Sequence, residues 1–524
     1  FYFSFKCFMI AIFYWLTEHN IMKKFTTIAL SCAAVLSLNA CTTHVGDSQA
    51  NTTSTLQSLK FNPNNYKSIT ISQDGQSLSV RAYENIPYVT SPTEPDYQVM
   101  NIYIPESYFT DGIINGYTAD TAPIFFPNGI GGYMPAKPMT TEVRSGRDGK
   151  PQASSVNTAL LRGYVVASAG ARGRTLGTDG NYTGKAPAAI IDLKSAIRYL
   201  KANDRLMAGR ADRIISNGTS AGGAMSALLG ASGANADYDG QLRQAGAIMN
   251  ADDGIFAVSA YCPITNLENA DMAYEWQSNG INDYQKMHIS MLDYNVKRER
   301  VKASLTDEQK LWSNELKSSF PSYVNGLKLK GQNGQLLTLD SQGNGTFKDE
   351  IIHHLNQSAN VAFKNGTDMN EFNFLSQRKS ANPYYIDSFD GYLNYLGRGK
   401  GVPAFDDVTL ASGENNLFGN ATTNNQHFTA FGKKYGQGTM ADTQAIKMMN
   451  AMNYIATSPT QHWRIRHGAK DNDTSLAVPV ILATALQNHG KNVDFALPWG
   501  FGHGGDYDLN ELFDWSDNLV KSAQ

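Results

Sequence analysis

"DRIISNGTSAGGA", residues 212–224, is the stretch that decides the fold. Its short apolar opening reads as a buried strand. A serine then stands between glycines in the pattern G-x-S-x-G, and small residues continue through "AGGAMSALLGASG" (221–233) as a helix. Strand, turn and helix in that order make a nucleophile elbow. The turn is so sharp that the positions two before and two after the serine must be small, here Gly218 and Gly222. It projects the Ser220 hydroxyl out of the sheet, and the helix N-terminus behind it favours negative charge developing there. The five-residue pattern alone is common by chance. Its place between a strand and a small-residue helix makes Ser220 a nucleophile candidate.

Outward from the elbow, strands and helices alternate. "YQVMNIYIP" (97–105), "APIFFP" (122–127), "GYVVASAG" (163–170) and "GIFAVSAYCP" (254–263) read as strands, and "APAAIIDLKSAIRYLKAND" (186–204) has helical periodicity. The rhythm returns late, with a helix at "TQAIKMMNAMNYIA" (443–456), a strand at "HWRIRHG" (462–468), and a helix at "TSLAVPVILATALQNHG" (474–490). A strand at "VDFALPW" (493–499) and a closing helix at "LNELFDWSDNLVKSA" (509–523) complete it. Such alternation predicts an α/β fold with a mostly parallel sheet covered on both faces. Between the two runs the texture changes. "SLTDEQKLWSNELKSSF" (304–320) is an amphipathic helix with a Thr306–Gln309 capping box. "LKLKGQNGQLLTLDSQGNGTF" (327–347) alternates around an N-G turn and reads as a hairpin. We assign 59–264 and 441–524 to the α/β domain and 265–440 to an inserted lid.

A serine hydroxyl is a weak nucleophile and needs a general base. In α/β-hydrolases the order is serine, acid, histidine. Asp471 follows a strand end in "RHGAKDNDTS", and His503 follows the last strand in the glycine-rich "PWGFGHGGDYD" (498–508). Both positions lie where a parallel sheet presents side chains at its C-terminal edge. His503 is read as the base and Asp471 as the residue that orients it, with Asp473 the alternative acid. His467, within a strand, and His489, at a helix end, read as structural. An oxyanion hole needs two backbone N–H groups. Ala221 supplies one. "FFPNGIGGY" (125–133) supplies the other, through Gly131 or Ile130, with Asn128 where related loops carry histidine. No metal or cofactor is expected. "DSQGNGTFKDE" (340–350) lacks the acidic ligand that closes an EF-hand loop. His353 and His354 are adjacent, without ligand spacing, and read as helix-surface residues.

Of the 524 residues, 42% are hydrophobic and 17% charged, with a net charge of −3, which suits a globular chain and argues against a nucleic-acid partner. Residues 1–21 read as upstream sequence translated in frame. The alternative, a membrane span, is short and interrupted by Lys6. Met22, Lys23, Lys24 and an apolar run from Ile28 to Leu38 build a signal peptide over 22–40. It ends in "LNAC" (38–41), which resembles the lipobox of bacterial lipoproteins. That resemblance implies a lipidated Cys41 and a chain exported and anchored by lipid to the cell envelope. The small polar residues of 41–58 read as a tether, and a monomer is expected. With Cys41 lipidated, Cys262 has no disulfide partner and reads as a buried thiol.

"GTSAGG" (218–223), "HWRIRHGAKDND" (462–473), "PWGFGHGGDYD" and "RGKGVPAFDDVTLASGENNLFG" (398–419) together resemble the bacterial tannases, a branch of the α/β-hydrolases. The resemblance covers most of the chain from about residue 60. It implies an esterase for galloyl esters. In that family a lysine and a glutamate of the lid, and an aspartate two residues past the triad acid, contact the galloyl hydroxyls. The matching positions are Lys400, Glu414 and Asp473. Three adjacent phenolic hydroxyls can donate to carboxylates and accept from an ammonium, which is consistent with that set. The expected partner is a small aromatic ester. Two other readings stay open: a feruloyl or general aromatic carboxylesterase, and a non-catalytic binding protein on a hydrolase fold.

Overall fold

The computed structural model describes residues 59–143, 153–292 and 295–523. The expectations for residues 1–21, the signal peptide, Cys41 and the tether lie outside them.

Nine strands form the central sheet: β1 Lys67–Gln73, β2 Gln76–Pro87, β3 Val99–Pro105, β4 Pro123–Pro127, β5 Val165–Ala169, β6 Arg210–Thr219, β7 Ala257–Tyr261, β8 His462–Arg466 and β9 Asn492–Ala496. Their spatial order is β1-β2-β3-β5-β4-β6-β7-β8-β9. The first three strands and the β3–β5 pair run antiparallel. From β5 to β9 every pairing is parallel. The sequence explains the division. "PIFFP", "VVASA" and "AVSAY" are buried at every position, as strands covered on both faces must be. β1 and β9 close the two edges, and each buries far less of its length.

Because β4 to β9 point the same way, their C-terminal ends open on one edge of the sheet. The loop 128–132 leaves β4 there. Ser220 leaves β6, Cys262 leaves β7, the segment 467–473 leaves β8, and 498–503 leaves β9. Residues distant in sequence are thus gathered at one place.

After β7 the chain departs from the sheet and returns only at β8. In between lie the helices Leu267–Ser278, Asp307–Leu327, Thr346–Lys364, Phe389–Leu396, Gly413–Leu417, Ala430–Tyr435 and Thr443–Met448. The Thr306–Gln309 capping box is present. Three expectations are corrected. The hairpin expected over 327–347 is confined to its tip, where Lys330 and Leu336 bridge and the Gly331 and Leu337 N–H groups donate to the Gln335 and Leu329 carbonyls. Beyond it the Asn325 and Thr346 side chains take up the backbone groups of Leu339, Thr338 and Leu336. The long hairpin of this region is Asp283–Leu292 paired with Asn295–Ser304. The helix expected over 443–456 stops at Met448. Asn450 there turns its side chain to the Met452 N–H, Asn266 and Glu268. His354, expected on a helix surface, is buried against the Phe495 ring with Glu350 beside it.

Candidate active site

Ser220 ends β6 and begins the helix Ala221–Ala231, with φ 62° and ψ −123°. A non-glycine residue holds that left-handed value only where its surroundings fix it. Here the Ser220 N–H donates to the Tyr261 carbonyl at 2.9 Å, and its own carbonyl accepts from Ala224. The two glycines of the motif are needed for close approach. A Cβ at Gly218 would stand 2.4 Å from the Gly222 carbonyl oxygen, and one at Gly222 would stand 2.6 Å from Asn128 Oδ1.

His503 Nε2 lies 2.8 Å from Ser220 Oγ, and His503 Nδ1 lies 2.8 Å from Asp471 Oδ2. The structure therefore brings Ser220, His503 and Asp471 into one line. Asp473 stands farther off, 3.9 Å from His503 Nε2, and its N–H donates to Asp471 Oδ1 at 2.8 Å. Burial alone would raise the Asp471 carboxyl; the neighbouring His467, the hydrogen bond and charge of His503, and the Asp473 N–H hold it well below the usual range. Burial also disfavours a charged His503. Its bonds to Asp471 and Cys262 and the charges of Asp471 and Asp473 outweigh that and raise it. The two loops are tied together by Lys470 N–H to the Phe501 carbonyl at 2.8 Å and Ala469 N–H to the Pro498 carbonyl at 2.9 Å. The histidine loop also presses on the elbow, since a Cβ at Gly505 would lie 2.0 Å from Thr219 Oγ1.

Ala221 is the first residue of its helix, so its N–H has no intrahelical acceptor. Facing the elbow is the loop after β4. Asn128 is buried, and its Nδ2 donates to the carbonyls of Asn217 and Gly222 and to Ser226 Oγ, each at 3.1 Å. The Ile130 N–H is taken by Asn128 Oδ1, whereas Gly131 is exposed and a Cβ there would meet no atom within 4 Å. Of the two donors weighed for this loop, Gly131 is the one left free of that bond.

Lys400, Glu414 and Asp473 come to the same edge from three segments. Lys400 Nζ lies 3.1 Å from Asp473 Oδ2 and 4.1 Å from the centre of the Phe405 ring. Burial would lower the lysine, but the charges of Asp473 and Glu414 raise it. Burial raises Glu414 in spite of Lys400. Glu414 opens the helix Gly413–Leu417, capped by Ser412. Arg174 links that helix to the loop after β4, donating from Nε to the Gly132 carbonyl at 2.8 Å and from Nη1 to Asn416 Oδ1 at 3.1 Å. A cavity of about 890 Å³ reaches His503 and Asp473 and is lined also by Tyr284, Ser304, Gly399 and Asn472. A second, of about 950 Å³, lies across the histidine loop between Trp499, Phe501 and Tyr507, and no triad residue lines it.

Sequence reasoning missed the residues that hold these groups in place. Tyr274, fully buried, accepts from the N–H groups of Gly399 (2.9 Å) and Lys400 (3.0 Å) and donates to the Asn472 carbonyl (2.8 Å). One hydroxyl thus fixes the segments bearing Lys400 and Asp473 to each other. Next to it, Glu275 and Arg398 form a fully buried ion pair. A tyrosine within a helix carries no signal of such a role in sequence alone.

A family model described as BD-FAE matches residues 145–306. No curated protein matches. Among solved structures, the chain is similar to the tannase of Fusobacterium nucleatum at 52% identity, over 88% of this chain and 99% of that one, with a TM-score of 0.83. It is similar to the tannase of Lactobacillus plantarum at 44% identity, over 88% and 100%, with a TM-score of 0.83. A tannin acyl hydrolase in complex with ethyl gallate is 45% identical over 88% and 99%, with a TM-score of 0.81.

Proposed function

This chain belongs to the bacterial tannases, α/β-hydrolases that cleave gallate esters, and from that premise we propose that Ser220, His503 and Asp471 carry the hydrolysis through an acyl-enzyme. The observation behind the proposal is the unbroken pair of 2.8 Å contacts from Ser220 through His503 to Asp471.

Ser220 Oγ attacks the ester carbonyl as its proton passes to His503 Nε2. Asp471 holds Nδ1 and stabilises the imidazolium that forms. The carbonyl oxygen, now negative, is met by the Ala221 N–H and by the Gly131 N–H of the facing loop. Collapse breaks the bond to the alcohol, which leaves with the proton from His503. Water then repeats the sequence on the galloyl-serine ester, with His503 again taking and returning the proton, and gallate departs.

Selectivity follows from Lys400, Glu414 and Asp473. Glu414 and the Lys400–Asp473 ion pair, 3.1 Å between nitrogen and oxygen, offer both donors and acceptors to three adjacent hydroxyls. An ester without those hydroxyls leaves the groups unpaired and is disfavoured. The test is kcat/KM on methyl gallate and methyl benzoate, for the parent and for Ser220→Ala. The expected outcome is strong preference for the gallate, lost in the variant. Equal rates on both esters would leave a general esterase. The signal sequence at 22–40 and Cys41 support export and a lipid anchor, which globomycin-sensitive processing and [³H]palmitate labelling of Cys41 would test.

A further inference from the structure

Behind Ser220 and His503 lies a set of three donors of which the proposed ester hydrolysis uses only Asp471. Cys262 follows β7, and His467 and Asp471 follow β8. One donor atom from each, a sulfur, a ring nitrogen and a carboxylate oxygen, lies within 4.8 Å of the other two, and all three residues are buried. His467 Nε2 stands 3.6 Å from Asp471 Oδ2. Among the described residues neither ring nitrogen of His467 makes a well-formed hydrogen bond, with only a loose approach to the Thr474 backbone. Buried polar groups are nearly always satisfied, so such an imidazole calls for a reason. Facing a carboxylate, Nε2 needs something positive between: a proton or a metal ion.

We infer that Cys262, His467 and Asp471 form an inhibitory site for a thiophilic divalent cation of the Zn²⁺ or Cd²⁺ kind. Zinc bonds of about 2.0–2.3 Å in a tetrahedron place neighbouring donors roughly 3.3–3.7 Å apart. The nitrogen and oxygen already have that spacing, and the sulfur has to close by about 1.5 Å at most. A thiolate, an imidazole and a carboxylate suit a soft or borderline ion, not Mg²⁺ or Ca²⁺. On binding, the Cys262 S–H bond breaks, a sulfur–metal bond forms, and the proton leaves to solvent. The thiol gives up its present hydrogen bond to the Gly504 carbonyl at 3.3 Å.

The consequence for activity comes from one atom. Asp471 Oδ2, which faces His467, is also the oxygen that accepts from His503 Nδ1. A cation there competes for that lone pair and places positive charge beside the imidazolium that must form during acyl transfer. Hydrolysis stops although the substrate cavity is untouched. The inhibitory effect rests on the triad proposed above; the binding does not.

The test is titration of the full chain with Cd²⁺, read by the ultraviolet absorption of the cadmium–thiolate bond and by methyl gallate hydrolysis. The expected result is one equivalent beyond those taken up by the full chain carrying Cys262→Ser, bound in step with loss of activity and reversed by a chelator. Cys262→Ser should lose that equivalent and, measured against its own activity without metal, need at least tenfold more Cd²⁺ for half-inhibition. His467→Gln, which keeps the thiol, should also weaken inhibition at least tenfold and covers the case in which the serine variant does not fold. Equal inhibition in the parent and the variants overturns the site. Cadmium bound at Cys262 with full activity retained overturns the inhibitory role. Activity surviving in Ser220→Ala would instead refute the triad and leave the binding result standing.

Discussion

Replacing Tyr274 with Phe removes one oxygen and three hydrogen bonds: those from the Gly399 and Lys400 N–H groups and that to the Asn472 carbonyl. Each orphaned buried group costs about 1–3 kcal/mol, less where water reaches it. Gly399, Lys400 and Asn472 are only partly buried, so the total is about 2–4 kcal/mol. Part of that appears as lost stability. The rest appears at the site, because the backbone tie between the Lys400 and Asp473 segments is lost and their alignment is left to the Lys400–Asp473 ion pair and the Asn472 Nδ2 bond to the Leu396 carbonyl. If half reaches the gallate transition state, kcat/KM on methyl gallate falls about 5- to 30-fold. Methyl benzoate offers no hydroxyls to those residues, and its kcat/KM should change by less than about threefold. The assay is the ratio of the two constants, measured below the melting temperature of the variant. An equal fall on both esters would refute the reasoning, since Tyr274 would then support the triad rather than the hydroxyl-reading groups. An unchanged ratio with a lowered melting temperature would show that it supports only the fold.

Lys400→Met should lower kcat/KM on methyl gallate by about 10- to 100-fold, the worth of a lost charge-assisted hydrogen bond with its partner left unpaired, and leave methyl benzoate nearly unchanged. His503 must be free of its proton to act as base, and its surroundings raise its proton affinity. The acid limb of kcat/KM should therefore lie above the ordinary imidazole value of about 6.5 and move down in Asp471→Asn, whose kcat should drop by roughly 10³- to 10⁴-fold. Stability has its own sign: Asp471 is depressed in the fold, so its contribution is present above the ordinary carboxylate value and lost as pH falls. The difference in unfolding free energy between parent and Asp471→Asn should shrink below about pH 4. Gly505→Ala places a methyl group 2.0 Å from Thr219 Oγ1, and its kcat should fall at least tenfold, because a displacement of about 1 Å in the His503 loop breaks the contact with Ser220.

How much of this was legible in the sequence follows from where the information is stored. The elbow declares itself locally, because Gly218, Ser220 and Gly222 are required within one turn and flanked by a strand and a helix. His503 and Asp471 follow from chain order and strand ends. Lys400 and Glu414, and Asp473 as a hydroxyl-reading group and not an alternative triad acid, could be named only through the resemblance, since nothing local distinguishes them from surface charges. What failed has physical causes. The N-G turn at 333–334 suggested a longer hairpin, but beyond its tip side chains of Asn325 and Thr346 outcompete strand pairing. The long hairpin at 283–304 joins its strands between Leu292 and Asn295 without a glycine, so no turn signal marks it. Asn450 ends a helix through contacts to Asn266 and Glu268, residues far away in sequence. Tyr274, Asn128 and Arg174 act through tertiary bonds of the same kind.

Asp471 and Asp473 sit in one short loop, joined by the hydrogen bond from the Asp473 N–H to Asp471 Oδ1. In the proposed roles, the group that steadies the base and a group that meets the acyl ring therefore share a backbone. A change there that suits a new acyl group also shifts the base, so drift in this loop is doubly penalised. Lys400 and Glu414 lie outside it, on the excursion between β7 and β8, where replacement leaves the chemistry intact. Lineages that diversify in substrate are expected to rewrite that excursion first and to leave the loop after β8 almost unchanged.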